Sequence, residues 1–191
     1  MRYFEKIAGE RIYLSPINEE DLPLYTRWMN DPETTESLGM KRSVFSLAQE
    51  KEALQSMARS ETEKHFAIVL REGNRLIGGI SLQNLQPFNR RAEVGIFIGE
   101  EEDRGKGYGM EAMRLLLGFA FLTLGLHSVS LSVFAFNARA IAAYKKVGFK
   151  KCGQRREAHF ADGAFHDILT MDILAHEFLA ENPAKSDRLQ I

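Results

Sequence analysis

Cysteine is almost missing from this chain: among 191 residues, Cys152 is the only one. An internal disulfide is excluded, so packing must hold the fold, and a reducing, cytoplasmic setting is expected. No residue near Cys152 in sequence offers a partner base, which leaves a nucleophilic role unsupported. Long apolar runs are missing too. The longest, Leu115 to Leu126, contains Gly118 and Thr123 and falls short of the roughly 20 residues that a membrane-spanning helix needs. Met1-Arg2-Tyr3-Phe4-Glu5-Lys6 lacks a signal-peptide core, so no membrane partner is expected. Charge of one sign is also lacking, because 25 basic and 26 acidic residues leave a formal charge of −1. That balance gives no global case for binding nucleic acid, and any anion site must be local. The five histidines, His65, His127, His159, His166 and His176, show no zinc-ligand spacing, and no metal is assigned. No repeat, low-complexity tract or Pro/Gly-rich linker divides the chain. One domain is expected over residues 1–183, with a flexible tail at 184–191.

What is present reads as mixed α and β. Arg11 to Leu14 predicts a short first strand, and Glu19 to Met29 a first helix with Leu22, Tyr25, Trp28 and Met29 at helical spacing. Asp31-Pro32-Glu33 breaks that helix, leaving the 30s and early 40s as a loop before a second helix over Leu47 to Ala58. His65 to Leu70 and Leu76 to Leu82 flank Glu72-Gly73-Asn74 as a hairpin, and Val94, Ile96 and Ile98 alternate in a strand expected to be central. A helix from Gly107 places Met110, Met113, Leu117, Phe121 and Leu124 on one face. After a strand through Val129, Leu131 and Val133, Asn137 is a candidate N-cap and Gly148 a candidate stop for a helix carrying Ala140, Ile141, Tyr144 and Val147. Gln154 to Phe160 and Phe165 to Ile173, joined by Asp162-Gly163, predict a terminal hairpin.

The chemistry concentrates at Arg104-Gly105-Lys106-Gly107-Tyr108-Gly109, where a strand gives way to a helix. Glycines let consecutive N–H groups turn inward, and a helix start adds unpaired N–H groups and partial positive charge. The junction is therefore a candidate phosphate cradle. It is not a dinucleotide fingerprint, since Met110 stands where G-x-G-x-x-G needs its last glycine, and no G-x-x-x-x-G-K-[ST] occurs anywhere in the chain. What remains is Arg-x-x-Gly-x-Gly, which resembles the acyl-coenzyme A signature of the GNAT N-acetyltransferases. The resemblance extends through Arg90 to Gly95, Phe134-Ala135-Phe136-Asn137-x-x-Ala140-x-x-x-Tyr144, Gly148-Phe149 and the Asp162-Gly163 turn. It is similar in particular to the branch containing ribosomal-protein and spermidine N-acetyltransferases, over about residues 10 to 175.

That resemblance implies an α/β fold of the α+β type: a mostly antiparallel mixed sheet, splayed at the cofactor site and flanked by helices. It also implies acetyl-coenzyme A as cosubstrate, an amine acceptor as partner and a homodimer as a possible assembly. The pantetheine arm of the cofactor would pair with the Gly95 to Gly99 strand, with backbone N–H groups near Phe97 and Ile98 as oxyanion donors. Arg104, Gly105, Lys106, Gly107, Tyr108 and Gly109 would meet the phosphates, and Asn137 and Ala140 the pantetheine region. The transfer itself needs a base and an acid, because an alkyl amine of pKa about 10 must lose a proton and a thiolate, whose parent thiol has a pKa of about 8.5, must leave. Tyr144 is the candidate acid, with a core tyrosine as the alternative. Glu93, 11 residues before Arg104, is the candidate base, with a water chain or a salt bridge to Arg90 or Arg91 as alternatives. Candidate acceptors are a protein N-terminus, as in ribosomal proteins, a polyamine, or another small amine. A coenzyme A sensor without transfer activity is the competing non-enzymatic reading. The Asn30 to Met40 region is expected to shape the acceptor pocket, with Asp31, Glu33 and Glu36 available to a cationic amine.

Overall fold

In the computed structural model, which describes residues 2–182, the alternating β-branched and aromatic stretches form a single mixed sheet. Its strands are β1 (Ile7–Ala8), β2 (Ile12–Pro16), β3 (Lys64–Leu70), β4 (Arg75–Gln86), β5 (Arg91–Ile98), β6 (Ser128–Phe134), β7 (Lys150–Ala161) and β8 (Ala164–Leu174). They lie in the order β1-β2-β3-β4-β5-β6-β8-β7. Neighbours run antiparallel except β5 and β6, which are parallel. A parallel pair needs a crossover, and here it is helix α4 (Tyr108–Gly118), continued by a π-helical turn at Phe119–Thr123.

Alternation along the strands sorts the side chains onto two faces. Ile12, Leu14, Phe66, Ile68, Ile80, Leu82 and Val94 face α4, whose Ala112, Met113, Leu116 and Leu117 are all but sealed from solvent. Helices α5 (Ala138–Val147) and α6 (Ala175–Glu181) pack into the same core, Phe178 of α6 meeting Phe121 at 5.5 Å between ring centroids. On the opposite face, Tyr13, Ala67 and Val69 meet Tyr25, Trp28 and Met29 of α1 (Leu22–Met29) and Leu54 of α3 (Leu47–Arg59).

Several elements differ from the sequence reading. The two-residue β1 was not foreseen, because its pairing with β2 rather than any local pattern defines it. The expected loop after Asp31 contains a short helix, α2 (Pro32–Glu36). Asp31 accepts from the Thr34 N–H at 3.0 Å and Pro32 fills the first helical position, so the residues that end one helix begin the next. Helix α6 has no counterpart in the reading. The expected tail at 184–191 lies outside the described residues.

One topological feature makes the site. Strands β5 and β6 pair only through Arg91–Ser128, Ala92–Val129 and Glu93–Ser130. Beyond Glu93, β5 continues along β4 as far as Ile98, while β6 continues along β8 as far as Phe134. The sheet therefore forks, as the resemblance implies.

Candidate active site

The fork opens beside the start of α4. Gly105 (φ +76°) and Gly107 (φ +87°) adopt the left-handed backbone that glycine favours, and Gly107 is the N-cap. No side chain among the described residues caps this helix. The first intrahelical bond is donated by the Glu111 N–H to the Gly107 carbonyl, which leaves the N–H groups of Tyr108, Gly109 and Met110 without a hydrogen-bond acceptor among the described residues. A cavity of about 400 Å³ extends from this loop into the fork, lined by Ile96, Phe97, Ile98, Arg104, Gly105, Gly107, Tyr108, Gly109, Asn137, Ala140 and Tyr144, among others. A diphosphate with a polar, extended arm fits this lining, because unpaired N–H groups sit at one end and open strand edges at the other.

The ladder decides which strand edges are open. Gly99 donates its N–H to Ile77 O at 2.9 Å. Successive residues of a strand turn their backbone groups alternately to the two sides, so Phe97 faces β4 and Ile96 and Ile98 face the fork. Of the two expected oxyanion donors, the Phe97 N–H is used by the sheet and the Ile98 N–H is open. The Phe97 side chain joins the second core instead, 5.9 Å from Trp28 and 6.3 Å from Tyr25 between ring centroids.

The two expected phosphate cations are differently placed. The Arg104 guanidinium turns inward, donating from Nε to Ile98 O at 3.1 Å and from Nη2 to Gly99 O at 2.7 Å and Thr34 Oγ1 at 2.8 Å. It sits 3.5 Å from Glu33 and 3.8 Å from Asp31. Arg104 thus fastens the end of β5 to α2. Lys106 lies outside the cavity lining, and its carbonyl accepts from Arg11 at 2.9 Å. Two carboxylates of the acidic run before the loop are paired: Arg75 grips Asp103 through two bonds of 2.7 and 2.9 Å, and Glu100 accepts from Trp28 Nε1 at 2.9 Å and from Arg27.

On the far wall, Asn137 caps α5 by accepting from the Ala140 N–H at 3.0 Å, and Gly148 (φ +110°) terminates that helix. Tyr144, two turns along, lines the cavity with its ring packed near Phe149 at 6.1 Å. Its hydroxyl has no hydrogen-bond partner among the described residues. Burial pushes the phenol above its ordinary pKa, so it keeps its proton at neutral pH.

Glu93 is not in this lining. It stands at the last paired position before the fork, on the sheet face opposite the buried Ala92 and Val94, with an exposed side chain that accepts from Asn84 Nδ2 at 3.3 Å. The alternative of a salt bridge to Arg90 or Arg91 is not formed. Arg90 Nε donates to Gly125 O at 2.7 Å and Arg91 Nε to Gln86 Oε1 at 2.9 Å. The acceptor-side carboxylates are occupied as well. Asp31 caps α2 and is held below the usual carboxyl range, chiefly by the Thr34 hydroxyl and despite its partial burial. Lys41 bridges Glu36 at 2.8 Å and Asp162 at 3.2 Å. The reading missed Arg11, Glu111 and Thr34, whose partners lie far off in sequence and leave no local spacing to find. Among the described residues, no group of three or more His, Cys, Asp or Glu is arranged to hold a metal ion. None of the helices among them is long and apolar enough to cross a membrane.

Residues 11–150 match the GNAT acetyltransferase domain. The chain belongs to that family. As a GNAT enzyme it uses acetyl-coenzyme A to acetylate an amine. An N-acetyltransferase 9-like protein of Caenorhabditis briggsae is 30% identical over 179 residues, covering 81% of this chain and 89% of the relative. A spermidine N(1)-acetyltransferase of Escherichia coli (strain K12) is 26% identical, covering 95% and 96% of the two chains. The spermidine N-acetyltransferase of Vibrio cholerae, solved in complex with CoA and spermine, superposes with a TM-score of 0.83 at 24% identity, over 90% of this chain and 99% of that one. The GNAT fold thus accounts for the fork, for the glycine junction beside it, and for the crossover helix that joins them.

Proposed function

We propose that this enzyme transfers acetyl directly to a primary amine, without a covalent enzyme intermediate, using Tyr144 as acid and Glu93 as base. The observation that carries the reading is the convergence on one cavity of the unpaired N–H groups of Tyr108, Gly109 and Met110, the open edge of β5 and the Tyr144 hydroxyl. Acetyl-coenzyme A, when bound, supplies the acetyl thioester. The Gly105 and Gly107 backbone and the α4 N-terminus would hold its diphosphate, while the Ile96 and Ile98 backbone would pair with the pantetheine amides. The Ile98 N–H is the candidate oxyanion donor. Tyr144 Oη holds a proton that it can give to a departing thiolate, and no competing acceptor among the described residues holds that hydroxyl. Glu93, exposed on the other sheet face at the apex of the fork, has room to take a proton from an incoming ammonium. A carboxylate working through one water would do the same from a greater distance.

For the acceptor, we favour an amine carrying a single charge, such as a protein N-terminus. Asp31, Glu33, Glu36 and Asp162 are paired with Arg104 or Lys41, which leaves little unpaired acidity for a polycation. The near full-length relative named for spermidine supports polyamines as the second reading. A panel of amines separates them: peptides with free N-termini, spermidine and amino sugars, each with acetyl-coenzyme A, following thiol release and product mass. Acetylation of peptide α-amines at higher kcat/KM than spermidine is expected. Preference for spermidine overturns the acceptor assignment, and cofactor binding without thiol release from any amine returns the sensor reading.

A further inference from the structure

The turn between β1 and β2 reaches the phosphate loop from behind. Glu111, in the first turn of α4, receives it: Oε1 accepts from the N–H groups of Glu10 at 2.9 Å, Arg11 at 2.9 Å and Ile12 at 3.4 Å, and Oε2 accepts from Arg11 Nε at 2.9 Å. So close an approach requires Gly9, where a Cβ would stand 2.6 Å from Ile12 O and 2.9 Å from Glu111 Oε1. The Arg11 guanidinium, fixed by Glu111, lies over the Tyr108 ring at 5.0 Å and donates from Nη1 to the Lys106 carbonyl at 2.9 Å. Its Nη2 is 3.4 Å from the point where a Gly107 Cβ would be.

The peptide that Arg11 holds joins Lys106 to Gly107, and the described chain has no cis peptide bonds. In a trans peptide the carbonyl and the N–H point in opposite directions. Binding the Lys106 carbonyl on the Arg11 side therefore turns the Gly107 N–H away from Arg11, and that N–H has no acceptor among the described residues. The left-handed conformation of Gly105 and Gly107 leaves this short loop few constraints of its own, so an external clamp decides its orientation. With Arg104 committed to β5 and Lys106 outside the cavity lining, Arg11 is also the cation held against the loop.

We propose that Arg11, fixed by Glu111, is a positioning residue that aims the backbone N–H groups of the Gly105 to Gly107 loop at the diphosphate of the acyl donor. The proposal rests on the glycine junction being the diphosphate site. Its signature is donor-specific, because S-acetylpantetheine carries the thioester and the amide arm but no diphosphate. A general structural or chemical role would affect both donors alike.

The test measures kcat/KM for acetyl-coenzyme A and for S-acetylpantetheine in the wild type, Arg11→Met, Arg11→Lys and Glu111→Gln. It is accompanied by calorimetric binding of coenzyme A and thermal melts to establish folding. Arg11→Met is expected to cut the preference for acetyl-coenzyme A over S-acetylpantetheine about tenfold, or ~1.4 kcal/mol, mainly through KM for acetyl-coenzyme A. Glu111→Gln should follow it in direction. Arg11→Lys keeps one donor of the fork and should fall between. An unchanged ratio, or equal losses with both donors, overturns the clamp. If Arg11→Met fails to fold, Arg11→Lys alone decides by the same ratio. Failure of the wild type to bind coenzyme A overturns the diphosphate site itself, and the clamp with it.

Discussion

Removing only the Tyr144 hydroxyl should leave stability nearly unchanged while turnover falls. In Tyr144→Phe the ring remains, with its packing near Phe149 at 6.1 Å, and the deleted group is a hydroxyl without a partner among the described residues. Loss of an unpartnered hydroxyl leaves the fold within about 0.5 kcal/mol of neutral, so the melting temperature should move by no more than ~2 °C. Loss of a general acid typically costs 10²-fold or more, and a hundredfold corresponds to about 2.7 kcal/mol of transition-state stabilisation. The pH profile adds a sign. Burial raises the phenol pKa above 10, so Tyr144 stays protonated through neutral pH and wild-type turnover should show no alkaline decline below about pH 10 from this group. The assay is thiol release under saturating acetyl-coenzyme A with the best amine of the panel, alongside calorimetric affinity for coenzyme A. Turnover within twofold of wild type, with chemistry rate-limiting, refutes the acid. Collapse of affinity in parallel with turnover would make the hydroxyl a cofactor anchor instead.

Other expectations follow from the same geometry. Glu93→Gln should lower turnover at neutral pH and partly recover it at high pH, where more of the acceptor amine is already neutral; a wild-type pH–rate profile in the folded variant would falsify the base. Gly99→Ala would set a Cβ 2.1 Å from Cε2 of Trp28, a side chain that is only 2% exposed and donates Nε1 to Glu100 at 2.9 Å. Overpacking there should cost about 3 kcal/mol, lowering the melting temperature by ~6–12 °C, and an unchanged melt would show that Trp28 can yield. Burial raises the Glu111 carboxyl, but the Arg11 and Ile12 N–H groups and the Arg11 guanidinium outweigh it and leave the pKa lowered. Its stabilising contribution is therefore full above the unfolded value of about 4.3 and lost as pH falls through the lower folded value. The stability gap between wild type and Glu111→Gln in urea titrations should hold constant from pH 8 to about 5 and close at lower pH; a gap that persists at pH 2 would contradict the linkage.

How much of this was legible in the chain depends on how far each cause reaches. The alternation of Val94, Ile96 and Ile98, the helical spacing through Tyr144, the Asn137 cap and the Gly148 stop are local patterns, and local hydrogen bonding enforces them wherever the segment folds. The left-handed requirement at Gly105 and Gly107 is written in the residue type itself, so the cradle could be placed before any contact was known. The nature of the reaction was legible by another route, because ordered glycine, asparagine and tyrosine positions carry the resemblance to the GNAT family. Side-chain destinations were not. Arg104 sits in the signature yet turns to Thr34 and the end of β5, because α2 brings acceptors within reach from the other half of the chain. Glu93 found neither neighbouring arginine, since Arg90 and Arg91 are drawn to Gly125 and Gln86.

The sequence by itself determined most of the elements, though not β1, α2 or α6, together with the backbone freedom of the phosphate loop and the residue types able to move a proton. Only the tertiary structure decided where β5 leaves β6, which of the Phe97 and Ile98 N–H groups is open, and that Arg11 meets Glu111 across a separation of 100 residues. The physical reason is that local periodicity fixes φ and ψ and the face a side chain takes, whereas the partner of a long charged side chain is set by whichever distant segment packing brings within about 3 Å.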